Sequence, residues 1–142
     1  MINNIRTVLA SMAAVLAFGT TPALSAEPTA DMRTFARMFA TLEAGDQKGY
    51  CTAMHGAPYM GYLIQVCQSA VQNRLKKPED CSPDYMTRQV KADTEKCLEM
   101  PATEFERKKL SGRDASKTFV EQMKAQGVDG EKLLQEERTQ KH

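Results

Sequence analysis

Tryptophan is absent, and five phenylalanines and four tyrosines supply all the aromatic rings of the 142 residues. A small chain without the bulkiest apolar side chain builds a modest core and gains from covalent staples. Histidine is almost missing as well, with His55 alone apart from the terminal His142. That leaves no histidine cluster for a metal and no Ser/His/Asp arrangement. Cys-x-x-Cys does not occur, which excludes a thioredoxin-like redox pair, and neither does Cys-x-x-Cys-His, the attachment signal for haem. No glycine loop is arranged to cradle phosphate. No stretch alternates apolar and polar residues with β-branched enrichment, so strands are not expected. A surplus of charge is lacking too: 19 Lys and Arg face 18 Asp and Glu. Nucleic acid and anionic membrane surfaces both demand a basic excess, so neither is an expected partner. These absences describe a non-enzyme with no cofactor and no metal.

What is present begins with a leader. Arg6 supplies a positive start, Val8 to Phe18 is an apolar run, and Pro22-Ala23-Leu24-Ser25-Ala26 closes it with small residues. This is the form of a secretory signal peptide over 1–26, cut after Ser25 or after Ala26. The run is shorter than the roughly 20 residues that span a bilayer. A stable membrane anchor is therefore not expected, and residues 27–142 should form one periplasmic or secreted domain. Arg6 is the only charged residue lost with the leader, so the remainder has equal numbers of acids and bases.

Helical periodicity runs through that domain. Phe35, Met38, Phe39 and Leu42 line one face of a helix over 31–44, with Thr29 or Asp31 as cap and Gly45 as stop. The segment 45–58 reads as a connection with one helical turn around Tyr50 to Met54. Pro58 opens a second helix to Leu75 whose inward stripe is Met60, Leu63, Cys67, Ala70 and Val71. Ser82 caps and Pro83 begins a third, with Met86, Val90, Thr94 and Cys97 on one face up to Leu98. A short helix around Phe105, at 102–110, ends at Ser111-Gly112. Another carries Ala115, Phe119 and Met123 and closes at Gly127. Asp129 caps the last helix, with Val128 and Leu133 placed as a hydrophobic staple, and 136–142 reads as a polar tail. The sum is an all-α, disulfide-stapled bundle of five to six helices. Met38, Met60, Met86 and Met123, four of the nine methionines, fall on inward faces as packing material.

Four cysteines in an exported chain read as two disulfides. If the helix from Pro83 is continuous, Cys97 lies about 21 Å from its start, whereas linked Cα atoms lie within about 7 Å. Cys81 therefore cannot pair with Cys97, and Cys51–Cys67 falls with it. A short turn makes the second and third helices antiparallel neighbours, which favours the nested scheme, Cys51–Cys97 with Cys67–Cys81. The crossed scheme, Cys51–Cys81 with Cys67–Cys97, is its competitor. Cys51 and His55 stand one helical turn apart, as a nucleophile and base would, but the plainer reading makes His55 a polar side chain of a loop. Glu104 and Glu106 beside Arg107, Lys108 and Lys109 read as a solvated face.

The central stretch 61-GYLIQVCQSAV-71, followed by 81-CSPDYMTRQV-90, Leu98 and Pro101, resembles the Rap/Tai immunity proteins. Gly61, Tyr62, Ala70, Cys81, Pro83, Thr87, Gln89 and Val90 carry the likeness over about forty residues. It implies a periplasmic, helical, disulfide-bonded protein that neutralises a peptidoglycan amidase toxin delivered by type VI secretion. The expected function is thus binding to another protein. Tyr59, Lys76, Lys77, Glu79 and Asp80, around the turn between the second and third helices, are the candidate contact residues. Self-association as a homodimer is compatible with this reading. The alternative is a small envelope-stress or chaperone-like helical protein, suggested by the methionines and the modest core.

Overall fold

A computed structural model describes residues 23–140. The leader features from Met1 to Pro22, and the terminal Lys141 and His142, lie outside the described residues. Among the described residues six helices follow one another: α1 (Ala30–Ala44), α2 (Gln47–Met54), α3 (Ala57–Gln72), α4 (Pro83–Leu98), α5 (Ala102–Ala125) and α6 (Gly130–Thr139). A 3-10 turn at Pro78–Cys81 stands between α3 and α4, and no strand occurs among the described residues. None of these helices is long and apolar enough to cross a membrane.

Local chemistry sets most of the ends. The Thr29 hydroxyl accepts the Met32 N–H at 3.2 Å, Asp46 the Gly49 N–H at 2.9 Å, Ser82 the Tyr85 N–H at 3.2 Å and Asp129 the Lys132 N–H at 3.0 Å. Each satisfies an amide that a helix start leaves without a partner. Gly45 closes α1 at φ 75°, a left-handed conformation that side chains disfavour. α2 is a full two-turn helix where the sequence suggested one turn. α3 stops at Gln72, three residues before the expected end, because Arg74 turns the chain at φ 58°.

The core has two parts, and α1 belongs to both. Ala36 packs with Phe119, Met123, Val128, Leu133 and Leu134 from α5, α6 and their connection. Leu42, at the other end of α1, packs with Tyr50, Cys51, Cys97 and Phe105. Alongside these clusters α1 and α6 are joined by three ion pairs, Arg33–Glu136, Arg37–Glu137 and Glu43–Arg138. Residues 136–139 of the expected polar tail are in fact the end of α6. Glu137 is only 1 % exposed, and Arg37 Nε donates to it at 3.1 Å.

α5 corrects a second expectation, since it passes through Ser111-Gly112 without a break. Gly112 is buried, and a Cβ there would stand 2.5 Å from Leu42 Cδ2. The glycine lets α5 approach α1 and does not end the helix. Ser111 returns its hydroxyl to the Lys108 carbonyl at 3.0 Å.

α3 and α4 form a hairpin clamped by both disulfides of the nested scheme. Cys51–Cys97 ties its base to α2, with Cα atoms 5.7 Å apart, and Cys67–Cys81 ties its far half, at 5.8 Å. Gln47 adds a polar clasp at the base. Its Nε2 lies 3.1, 3.3 and 3.0 Å from the carbonyls of Cys97, Leu98 and Met100, where α4 ends and the chain turns toward α5.

Two stability changes follow. Replacing both Cys51 and Cys97 with alanine should cost about 4 kcal/mol and the Cys67/Cys81 equivalent about 3 kcal/mol, by the loop lengths each closes. Gly112→Val should cost about 1–3 kcal/mol through overpacking against Leu42. Urea unfolding without reductant measures all three, and a wild-type midpoint for Gly112→Val would remove the close-approach role of this glycine.

Candidate functional site

α3 has the sequence APYMGYLIQVCQSAVQ, rich in apolar residues, yet Cys67 is the only one of its 16 residues that is buried. Met60, Leu63, Cys67 and Val71 form the stripe turned toward α4. Tyr62, Ile64 and Val66 lie off that stripe and are 58 %, 41 % and 48 % exposed. An apolar arc wider than its covering neighbour leaves a flank in water.

At the base of the hairpin this flank becomes a polar–aromatic cluster. The Tyr59 hydroxyl donates to Asp93 Oδ2 at 2.5 Å, bridging α3 to α4, and Gln89 Nε2 donates to Asp93 Oδ1 at 3.0 Å. The ring of Tyr59 stacks on Tyr62 at 6.2 Å between centroids and meets His55 edge-on at 4.8 Å. His55 follows the last residue of α2, and its Nδ1 donates to the Cys51 carbonyl at 2.9 Å. An open groove of about 570 Å³ runs beside the cluster, lined among others by His55, Tyr59, Asp93, Lys96, Glu104 and Lys108.

The Tyr59–Asp93 bond sets the ionisation of both groups. Tyr59 is pushed up to about 12, first by that hydrogen bond, then by burial and by the charge of Asp93. Asp93 is held below the ordinary carboxylate range, chiefly by the hydrogen bond from Tyr59. Burial opposes that shift, while Gln89 and the charges of His55 and Lys96 reinforce it. The cluster is therefore a phenol fastened to a carboxylate, which orients Tyr59 and offers no activated nucleophile. Cys51 is fully buried and its sulfur is bonded to Cys97, so the Cys51/His55 arrangement has no free thiol.

The candidate contact residues do not form one patch. Lys76, Lys77, Glu79 and Asp80 are exposed at the far end of the hairpin. There Lys76 Nζ sits 5.1 Å from the Tyr85 ring centroid, and Asp80 Oδ2 accepts the Lys77 N–H at 3.1 Å. Tyr59 lies at the opposite end of α3, whose length is about 24 Å. Tyr62, Ile64 and Val66 were not singled out as surface residues. Their signal was present, in apolar positions that spill beyond one helical stripe. Asp93 carried no comparable signal, because its partner Tyr59 comes from another helix. Among the described residues no group of three or more His, Cys, Asp or Glu side chains is placed to hold a metal ion.

Several residues of the stretch 61–90 serve the local frame. Pro83 opens α4 and the Thr87 hydroxyl donates to its carbonyl at 3.0 Å, while Gln89 steadies Asp93. Gly61 has open space where a side chain would be.

A depressed carboxylate adds stability above its unfolded pKa and loses it as pH falls through the folded one. The Tyr59–Asp93 bond should therefore weaken the fold toward acid. Tyr59→Phe should shrink the stability lost between neutral pH and about pH 3, as measured by urea midpoints across that range. An acid limb identical to wild type would show that Asp93 is held down by other groups. No family model matches the chain, and no curated protein and no solved structure matches it either.

Proposed function

We propose that this chain is a periplasmic or secreted protein-binding module that docks a partner protein on the exposed flank of α3. One observation carries the reading: α3, an apolar helix tied through Cys67 to Cys81, buries that residue alone among its 16. Burying one Val or Ile side chain contributes about 1.5–3 kcal/mol, so ordering such a helix in water wastes a gain that a partner would recover. Tyrosine is also among the residues that dominate binding energy at interfaces. Two disulfides suit an oxidising compartment, as the leader-like start requires.

The sharpest version is neutralisation of a peptidoglycan amidase, which the resemblance to the Rap/Tai proteins implies. Gly61 and Tyr62 of that resemblance sit on the proposed face. Under this reading the protein acts by occupying the toxin, and needs no catalytic group of its own. The envelope-stress or chaperone-like alternative draws on a different observation, that Leu75 and Leu110 are 79 % and 61 % exposed and stand apart from Tyr62 and Val66.

The test pairs the chain with a secreted amidase encoded beside its gene. Wild type should bind the purified amidase and restore growth of cells that export it. Tyr62→Glu with Val66→Glu should lose at least tenfold in affinity, about 1.4 kcal/mol, while melting at the wild-type temperature. Full binding by the double variant would dismiss the α3 face. Suppression of aggregation of unrelated clients, without amidase binding, would favour the alternative.

A further inference from the structure

Residues 23–28 run along the connection between α5 and α6, where Leu24, Ala26 and Pro28 line a pocket of about 180 Å³ together with Val128, Lys132 and Leu133. One hydrogen bond fixes their register: the Ala26 N–H donates to the Gly127 carbonyl at 3.0 Å. Contact accompanies it, because a Cβ on Gly127 would stand 3.6 Å from Ala26 Cβ. Gly127 closes α5 at φ 75°, sending its own N–H back to Lys124, while Val128 sends its N–H to Met123. Its carbonyl faces the incoming chain at the electronegative end of α5.

We infer that the leader is cut between Ser25 and Ala26, and that the new ammonium of Ala26 stays on the Gly127 carbonyl. The connection between α5 and α6 is then the seat of the mature N-terminus. The seat exists only if the residues up to Ser25 are a leader, as their pattern indicates. A leader peptidase hydrolyses the Ser25–Ala26 amide with one water. The Ser25 carbonyl carbon gains the oxygen and leaves as a carboxylate, and the Ala26 nitrogen takes up protons and becomes an ammonium.

Three observations choose this bond over the next one. Ala23 and Ser25 put small residues at the two positions that leader peptidases read, and both are exposed. The donor on Ala26 survives this cut and gains charge, and charge-assisted hydrogen bonds are roughly twice as strong as neutral ones. A cut after Ala26 removes the donor altogether. Finally, the pocket is lined by three carboxylates, Glu27, Asp129 and Glu136, against two cations, Arg33 and Lys132. Asp129 is engaged with the Lys132 N–H, and Glu136 lies 3.6 Å from Arg33. The surroundings thus accommodate one further positive charge.

The whole precursor, exported and purified from the periplasm, is read by intact mass and N-terminal sequencing. The expected first residue is Ala26. A chain beginning at Glu27 or at any other internal residue overturns the seat while keeping the leader, and a chain beginning at Met1 overturns both. A second comparison sets the protein starting at Ala26 against one starting at Glu27. The shorter form should melt about 3 °C lower. Equal melting temperatures would overturn the charge-assisted bond even where the cut is as stated.

Discussion

The bond between Cys51 and Cys97 joins two halves built on different principles. On one side α1, α2, α5 and α6 bury apolar side chains against each other in two contiguous clusters. On the other, α3 and α4 bury only Cys67, Met86 and Cys97 between them. A hairpin so thinly packed cannot hold its place through the hydrophobic effect alone, because the entropy of ordering its residues exceeds what so few buried side chains return. The covalent link places the end of α4 within the second cluster, beside Leu42, Tyr50 and Phe105. The exposure of α3 is tolerable only because of that anchorage.

Local rules made much of this architecture readable. The caps at Thr29, Ser82 and Asp129, the left-handed stops at Gly45 and Gly127, and the proline at the start of α4 act within three or four residues of one another. Disulfide pairing was readable for a related reason: a continuous helix is a ruler, and Cys81 and Cys97 mark its two ends. The nested scheme then follows from one antiparallel turn.

What escaped was decided by distant partners. Gly112 looks like a helix breaker until Leu42 is placed against it, and only then does the missing side chain become a packing feature. Glu137 looks like part of a solvated tail until Arg37, a hundred residues earlier, is found beside it. The candidate site divides the same way. Tyr59 was identified but grouped with Lys76 to Asp80, which stand at the other end of α3. Its actual companions, His55 and Asp93, come from the residue that follows α2 and from α4. Tyr62 and Val66 fall outside the inward stripe of Met60, Leu63, Cys67, Ala70 and Val71, so their exposure follows from the helical spacing alone.

Gln47 gives the hairpin a mechanical property. One side-chain amide gathers the carbonyls of Cys97, Leu98 and Met100 at the same point where the disulfide enters α2. The base is thereby pinned by a covalent bond and a polar clasp together, and the two helices extend about 24 Å beyond it, so the end that carries Lys76 and Lys77 stands clear of both packed clusters.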